Sequence, residues 1–100
     1  MVRTRFVHSR NEVELTFLLD RPDVARAEVL VDLLGWAAVP LRRYPRGQGP
    51  WRATVRVPAA AEVQFRYAVG PDQWVDDPDA DEHRPNPFGS TNDVVRLPAA

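Results

Sequence analysis

Three side chains stand out for what their types do together: Trp36, Arg66 and Trp74. An indole offers a flat apolar face, and a guanidinium offers a planar fork of donors. Side by side they suit a binding edge rather than a reaction centre. Arg66 lies between Phe65 and Tyr67, out of phase with the apolar set, so it projects from the outer face of its strand. Most strand arginines are simply solvated; the sharper expectation is a donor fork beside Trp74, which follows one Gly70-Pro71-Asp72 turn later. Trp36 has to converge from another loop. Both tryptophans lie in or beside turns, so each ring either tucks over the end of the fold or faces a ligand. The residue pattern leaves both outcomes open. Trp51 is different, because it is in phase with Ala53, Val55 and Val57 and belongs to a core face.

Other groups with chemical potential lead nowhere. Six acids fall between Asp72 and Glu82, and Asp77-Pro78-Asp79-Ala80-Asp81 places carboxylates at alternate positions as a calcium loop does. The sixth position is Glu82 where glycine is needed, and the twelfth is Phe88 where a bidentate acid belongs, so the motif fails. A pair of these acids working on a glycoside needs a deep cleft to separate their pKa values, which so short a chain has little mass to build. A solvated acidic loop is the expectation. His8 and His83 lack metal-ligand spacing, and neither a nucleophile elbow nor a phosphate-cradling glycine loop occurs. No catalytic residue, metal or cofactor is expected.

Composition narrows the classes further. One hundred residues support one domain with a modest two-layer core. Thirteen arginines, with no lysine, against fourteen acids leave no one-signed basic face, so neither nucleic acid nor membrane is an expected partner. The absence of cysteine removes disulfides, thiolate catalysis and thiolate-bound zinc. The opening MVRTRFVHSR carries charge throughout and no apolar run, so a cytoplasmic location is expected.

The elements that must hold the three side chains are strands. Arg3 to His8 is a candidate edge strand, followed by a Ser9-Arg10-Asn11 turn. Val13, Leu15, Phe17 and Leu19 alternate with Glu12, Glu14 and Thr16, the period of a half-buried strand ended by Asp20-Arg21-Pro22-Asp23. Asp23 to Arg26 has room for at most one helical turn. Ala27, Val29, Val31 and Leu33 alternate next and run into Gly35-Trp36-Ala37-Ala38. Pro40 to Tyr44 is a weaker strand before the PRGQGP connection. Trp51 to Val57 is a strand, then a turn at Pro58-Ala59-Ala60-Ala61, then Val63, Phe65, Tyr67 and Val69. Asp93 to Leu97 closes the chain. Seven or eight short strands without a competing helical period predict an antiparallel β-sandwich.

At FRYAVGPDQWVDDP followed by FGSTND, the sequence resembles carbohydrate-binding module family 48. That group includes the glycogen-binding domain of the AMP-activated protein kinase β-subunit and the early-set domains of isoamylases and glycogen-branching enzymes. The likeness runs upstream through WRATVRVP and LVDLLGWAAVPL, covering most of Ala27 to Leu97. It implies an all-β, immunoglobulin-like (early-set) sandwich that binds α-1,4-glucan, as polysaccharide or oligosaccharide, on an exposed face without catalysis. By resemblance the two platform tryptophans are Trp36 and Trp74, the basic strand residue is Arg66, and the asparagine before the last strand is Asn92. The loop residues flanking the sugar correspond to Phe88 and Ser90.

The chain departs from the family pattern in places that bear on binding. Leu33-Leu34-Gly35 stands where the family has an asparagine-rich segment, and an arginine fork stands where a lysine point charge is usual. Gly70-Pro71-Asp72-Gln73 is one residue longer than the usual hairpin turn. The alternative is therefore a scaffold of the same fold that has lost sugar binding and serves a protein partner or a fused debranching or branching enzyme domain.

Overall fold

A computed structural model describes residues 1–43, 49–71 and 73–98. Tyr44, most of the PRGQGP connection and the hairpin residue Asp72 lie outside the described residues. Ten strands are found among those described. They are β1 (Val2–Val7), β2 (Glu12–Leu19), β3 (Ala27–Val31), β4 (Ala38–Pro40) and β5 (Arg42–Arg43). After them come β6 (Trp51–Pro58), β7 (Glu62–Val69), β8 (Gln73–Val75), β9 (Glu82–Pro85) and β10 (Thr91–Arg96). Two antiparallel sheets form an immunoglobulin-like sandwich: β1-β2-β6-β5, and β4-β3-β7-β10-β9 with β8 also on β7.

The inward positions are those the alternation marks. Val13, Leu15, Phe17 and Leu19 of β2 face Val63, Phe65, Tyr67 and Val69 of β7, all buried, with Ala27, Val29 and Val31 beside them. Phe17, Phe65 and Tyr67 meet edge to face, with ring centroids 5.2 to 6.3 Å apart. Trp51 joins the rim of this core half-buried, and its indole Nε1 donates to the Arg21 carbonyl at 3.1 Å.

The strand count exceeds seven or eight for local reasons. The weak strand expected from Pro40 is two: β4 pairs with β3 in one sheet, the buried Leu41 turns the chain across the core, and β5 pairs with β6 in the other. The short β8 and β9 add the remainder, each recruited by a longer neighbour rather than by its own pattern. β3 ends at Val31 instead of reaching Leu33, because Asp32 Oδ1 accepts the Leu33 and Gln64 amides at 2.7 and 3.0 Å and starts a 3₁₀ turn over Asp32–Leu34. His8–Arg10 is likewise a 3₁₀ turn, closed by Asn11 in the left-handed region, whereas no helical turn forms over Asp23 to Arg26.

The acidic loop is only partly as expected. Asp76, Asp79 and Asp81 are exposed, but Asp77 is buried. Its Oδ1 accepts the Asp79 amide at 2.9 Å, its Oδ2 faces the Met1 amino group at 2.6 Å, and its own amide donates to the buried Asp93. A carboxylate out of water persists only with such partners.

Candidate functional site

The strand β7 organises one face of the second sheet. Its residues Phe65 to Val69 pair with β3 on one edge. On the other edge it changes partner: Glu62 to Phe65 pair with β10, and Tyr67 to Val69 pair with β8. Arg66 sits at the changeover, pointing away from the core that Phe65 and Tyr67 enter. It lies between Leu30 of β3, directly across the ladder, and the gap between Trp74 and Asn92.

These residues line one open groove of about 290 Å³, formed by Leu30, Trp36, Arg66, Trp74, Phe88 and Asn92 with Asn86 and Pro87. Trp36 is 39 % exposed, Trp74 49 % and Phe88 89 %. Neither loop tryptophan is tucked under the end of the sandwich. The Arg66 guanidinium carbon lies 4.0 Å from the centroid of the Trp74 ring, and Nη2 donates to Ser90 Oγ at 3.0 Å. The donor fork beside Trp74 therefore exists, with Ser90 fixing its orientation.

Trp36 reaches the groove through a helix-ending geometry. The Trp36 amide donates to the Val31 carbonyl at 2.9 Å and the Gly35 amide to the Asp32 carbonyl at 3.0 Å, a Schellman pattern closing the 3₁₀ turn. Gly35 (φ 69°) and Trp36 (φ 60°) are both left-handed. The conformation suits glycine and is uncommon for a bulky ring, so the turn holds Trp36 outward against a backbone preference.

The loop from Asn86 to Ser90 rests on one side chain that the sequence reading missed. Asn86 Oδ1 accepts the amides of Phe88 at 2.9 Å and Ser90 at 3.3 Å, and its Nδ2 donates to Asn92 Oδ1 at 3.1 Å. The Asn86 amide in turn donates to the Ser90 carbonyl at 2.9 Å. The available signal was Asn86-Pro87, a turn-starting pair whose asparagine bonds its own downstream backbone. Asn92 is nine-tenths buried, and its Nδ2 donates to Gln64 Oε1 at 3.0 Å. It therefore spends much of its hydrogen-bonding capacity inside the protein, bracing the groove floor, and has less to offer a ligand than Arg66.

A second cluster lies apart from the groove lining. His83 Nδ1 is 2.7 Å from Asp93 Oδ1, and Asp76 brings a third ligand-type atom, all within 4.8 Å of one another. His83 has no metal-ligand spacing in the sequence because its neighbours here, Asp76 and Asp93, come from other segments. Burial raises the Asp93 pKa, opposed by the Asp77 amide and the His83 hydrogen bond. The hydrogen bond between His83 and Asp93 accounts for their closeness without an ion.

Chemically, the groove offers three aromatic rings, one guanidinium and amide groups. Among the described residues its lining contains no carboxylate or histidine to exchange protons. Comparison of the chain with family models and with curated proteins gives no match.

Proposed function

We propose that this protein is a non-catalytic α-glucan-binding module of the carbohydrate-binding module family 48 type. One observation carries the reading: Trp36, Arg66, Trp74 and Phe88, contributed by separate segments, converge on one exposed groove. Pyranose rings present flat patches of C–H groups that lose water against an indole, and their hydroxyls take hydrogen bonds from Arg66 and Ser90. Each ring platform contributes about 0.5–1.5 kcal/mol beyond burial. Ordering a flexible oligosaccharide offsets much of that gain, so dissociation constants of roughly micromolar to millimolar are expected. A polymer with many equivalent sites raises apparent retention. Neutral glucan also makes binding nearly independent of salt.

The test is titration with maltoheptaose or β-cyclodextrin followed by tryptophan fluorescence. Saturation is expected in the wild type, with at least about tenfold weaker binding in Trp74→Ala, since loss of roughly 1.4 kcal/mol is a factor of ten. An unsaturable wild type, or an unaffected variant, overturns the reading. If the module serves an α-glucan-active enzyme, the isolated chain still hydrolyses no glucan.

A second reading, a scaffold that has lost sugar binding, is favoured by one feature: Arg66 already covers one face of Trp74. A stoichiometric protein partner, together with no retardation in a glycogen-containing native gel, decides for it.

A further inference from the structure

Thirteen arginines balance fourteen acids in the composition, but the fold does not spread them evenly. On the sheet β1-β2-β6-β5, the residues that alternate with the core set form one flat outer face. Strand register puts Arg3 and Arg5 of β1, Arg52 and Arg56 of β6 and Arg42 of β5 on it, all exposed. Its acids are Glu12 and Glu14, and Glu14 is shared by Arg5 at 3.0 Å and Arg56 at 3.6 Å. Arg42 lies directly across the ladder from Arg52, an opposition of like charges that costs stability. One solvated arginine is ordinary; five gathered on a flat face make a basic surface that composition alone does not show.

The complementary charge is on the same chain. The loop between β8 and β9 exposes Asp76, Asp79 and Asp81. Among the described residues, none of these carboxylates forms an ion pair with an arginine of its own chain. Like charges crowd both surfaces, so each relieves the other when they meet, and guanidinium forks match carboxylates. A formal net charge of -1 leaves little overall repulsion between copies. Nucleic acid fits the face less well. Glu12 and Glu14 interrupt it, and Phe6, Phe17 and Trp51 point to its inner side, leaving no ring among the described residues to stack a base.

We infer that the arginine face binds the acidic Asp76–Asp81 loop of a second copy, joining chains head to tail. The two patches are different surfaces, so the contact is heterologous and extends beyond a dimer. A loop on a sheet face buries little area, which makes the association weak and transient. The groove lies on the other sheet, so glucan binding and self-association stand or fall separately.

The test is sedimentation over a range of protein concentrations at about 0.01 M and about 1 M salt, where screening lengths are about 30 Å and 3 Å. Average mass should rise with concentration at low salt and return to that of a single chain at high salt. Arg52→Glu and Asp79→Arg, both at exposed positions, should each self-associate at least about tenfold more weakly. Mixed one to one, they should pair and stop there, because one variant keeps the loop and the other keeps the face. Thermal unfolding of each variant establishes that it is folded.

A wild type that stays single at low salt overturns the inference, whatever the glucan titration gives. So does association that survives high salt, or a mixture that pairs no better than either variant alone. A single-chain wild type that binds a short DNA duplex, with loss in Arg52→Glu, assigns the face to nucleic acid instead.

Discussion

Asn86 illustrates how much of the groove depends on a side chain that need not touch a ligand. Its carboxamide takes the Phe88 and Ser90 amides and donates to Asn92, so a single group sets the loop that carries Phe88 and the hydroxyl that anchors Arg66. Asn86→Ala leaves two amides and Asn92 Oδ1 without that partner. The expected result is a loss of about 1–2 kcal/mol in urea unfolding. On the proposed glucan function, binding should also weaken several-fold at temperatures where the variant stays folded. Preserved affinity would show that the loop holds its shape without the side chain. Asn92, by contrast, proved less available than its resemblance to a sugar-contacting asparagine implied, because burial and two neighbouring amides already engage it.

At the scale of elements, ion pairing ties together the strands next to the groove. Arg84 of β9 bonds Glu62 of β7 and Glu82 of its own strand, and Arg96 of β10 adds a longer contact to Glu82. Hydrogen bonding from Arg84 is the main reason that both glutamates hold pKa values below the ordinary carboxylate range. In the window between those lowered values and the ordinary glutamate value of about 4.3, the unfolded chain binds more protons than the folded one. Their contribution is therefore complete above that window and is lost as pH falls through it. Asp93 works in the opposite sense: burial raises its pKa, so ionising it as pH rises removes stability. Arg84→Gln should make the acid limb of thermal stability shallower and return the Glu62 and Glu82 carboxyl titrations, followed by NMR, toward ordinary values. The Asp93 titration should stay where it is. Unmoved glutamates would show that Arg84 is not what holds them.

For the molecule as a whole, the groove and the core are separable. Phe65 is fully buried against Phe17 and Tyr67, one residue before Arg66 on the same strand. Phe65→Ala should cost about 3–5 kcal/mol, enough to unfold much of a marginally stable small protein. Trp36→Ala, at an exposed ring, should change stability by less than about 1 kcal/mol while weakening binding. Urea denaturation of the two variants measures the contrast. Equal stability losses would mean that Trp36 closes the core rather than lines a surface. No helix among the described residues is long and apolar enough to cross a membrane.

The chain's own pattern determined the sandwich and its inner face, because side chains alternate with a period of two and Val13 to Leu19, Ala27 to Val31 and Val63 to Val69 keep that period without interruption. It also put Arg66 outside, since the same alternation that buries Phe65 and Tyr67 turns their neighbour away. Short strands escaped it: β4, β5, β8 and β9 have two to four residues each and exist because a longer strand offers them an edge. Asp77 and the His83–Asp93 contact escaped it too, because burial of a polar group depends on partners distant in sequence. Above all, the direction of Trp36 and Trp74 was open until the tertiary structure decided it. Strand phase does not reach a ring in a turn, whereas a Schellman closure at Gly35 and the shared edge of β7 place both indoles on the groove that Arg66 lines, Trp74 directly under the guanidinium.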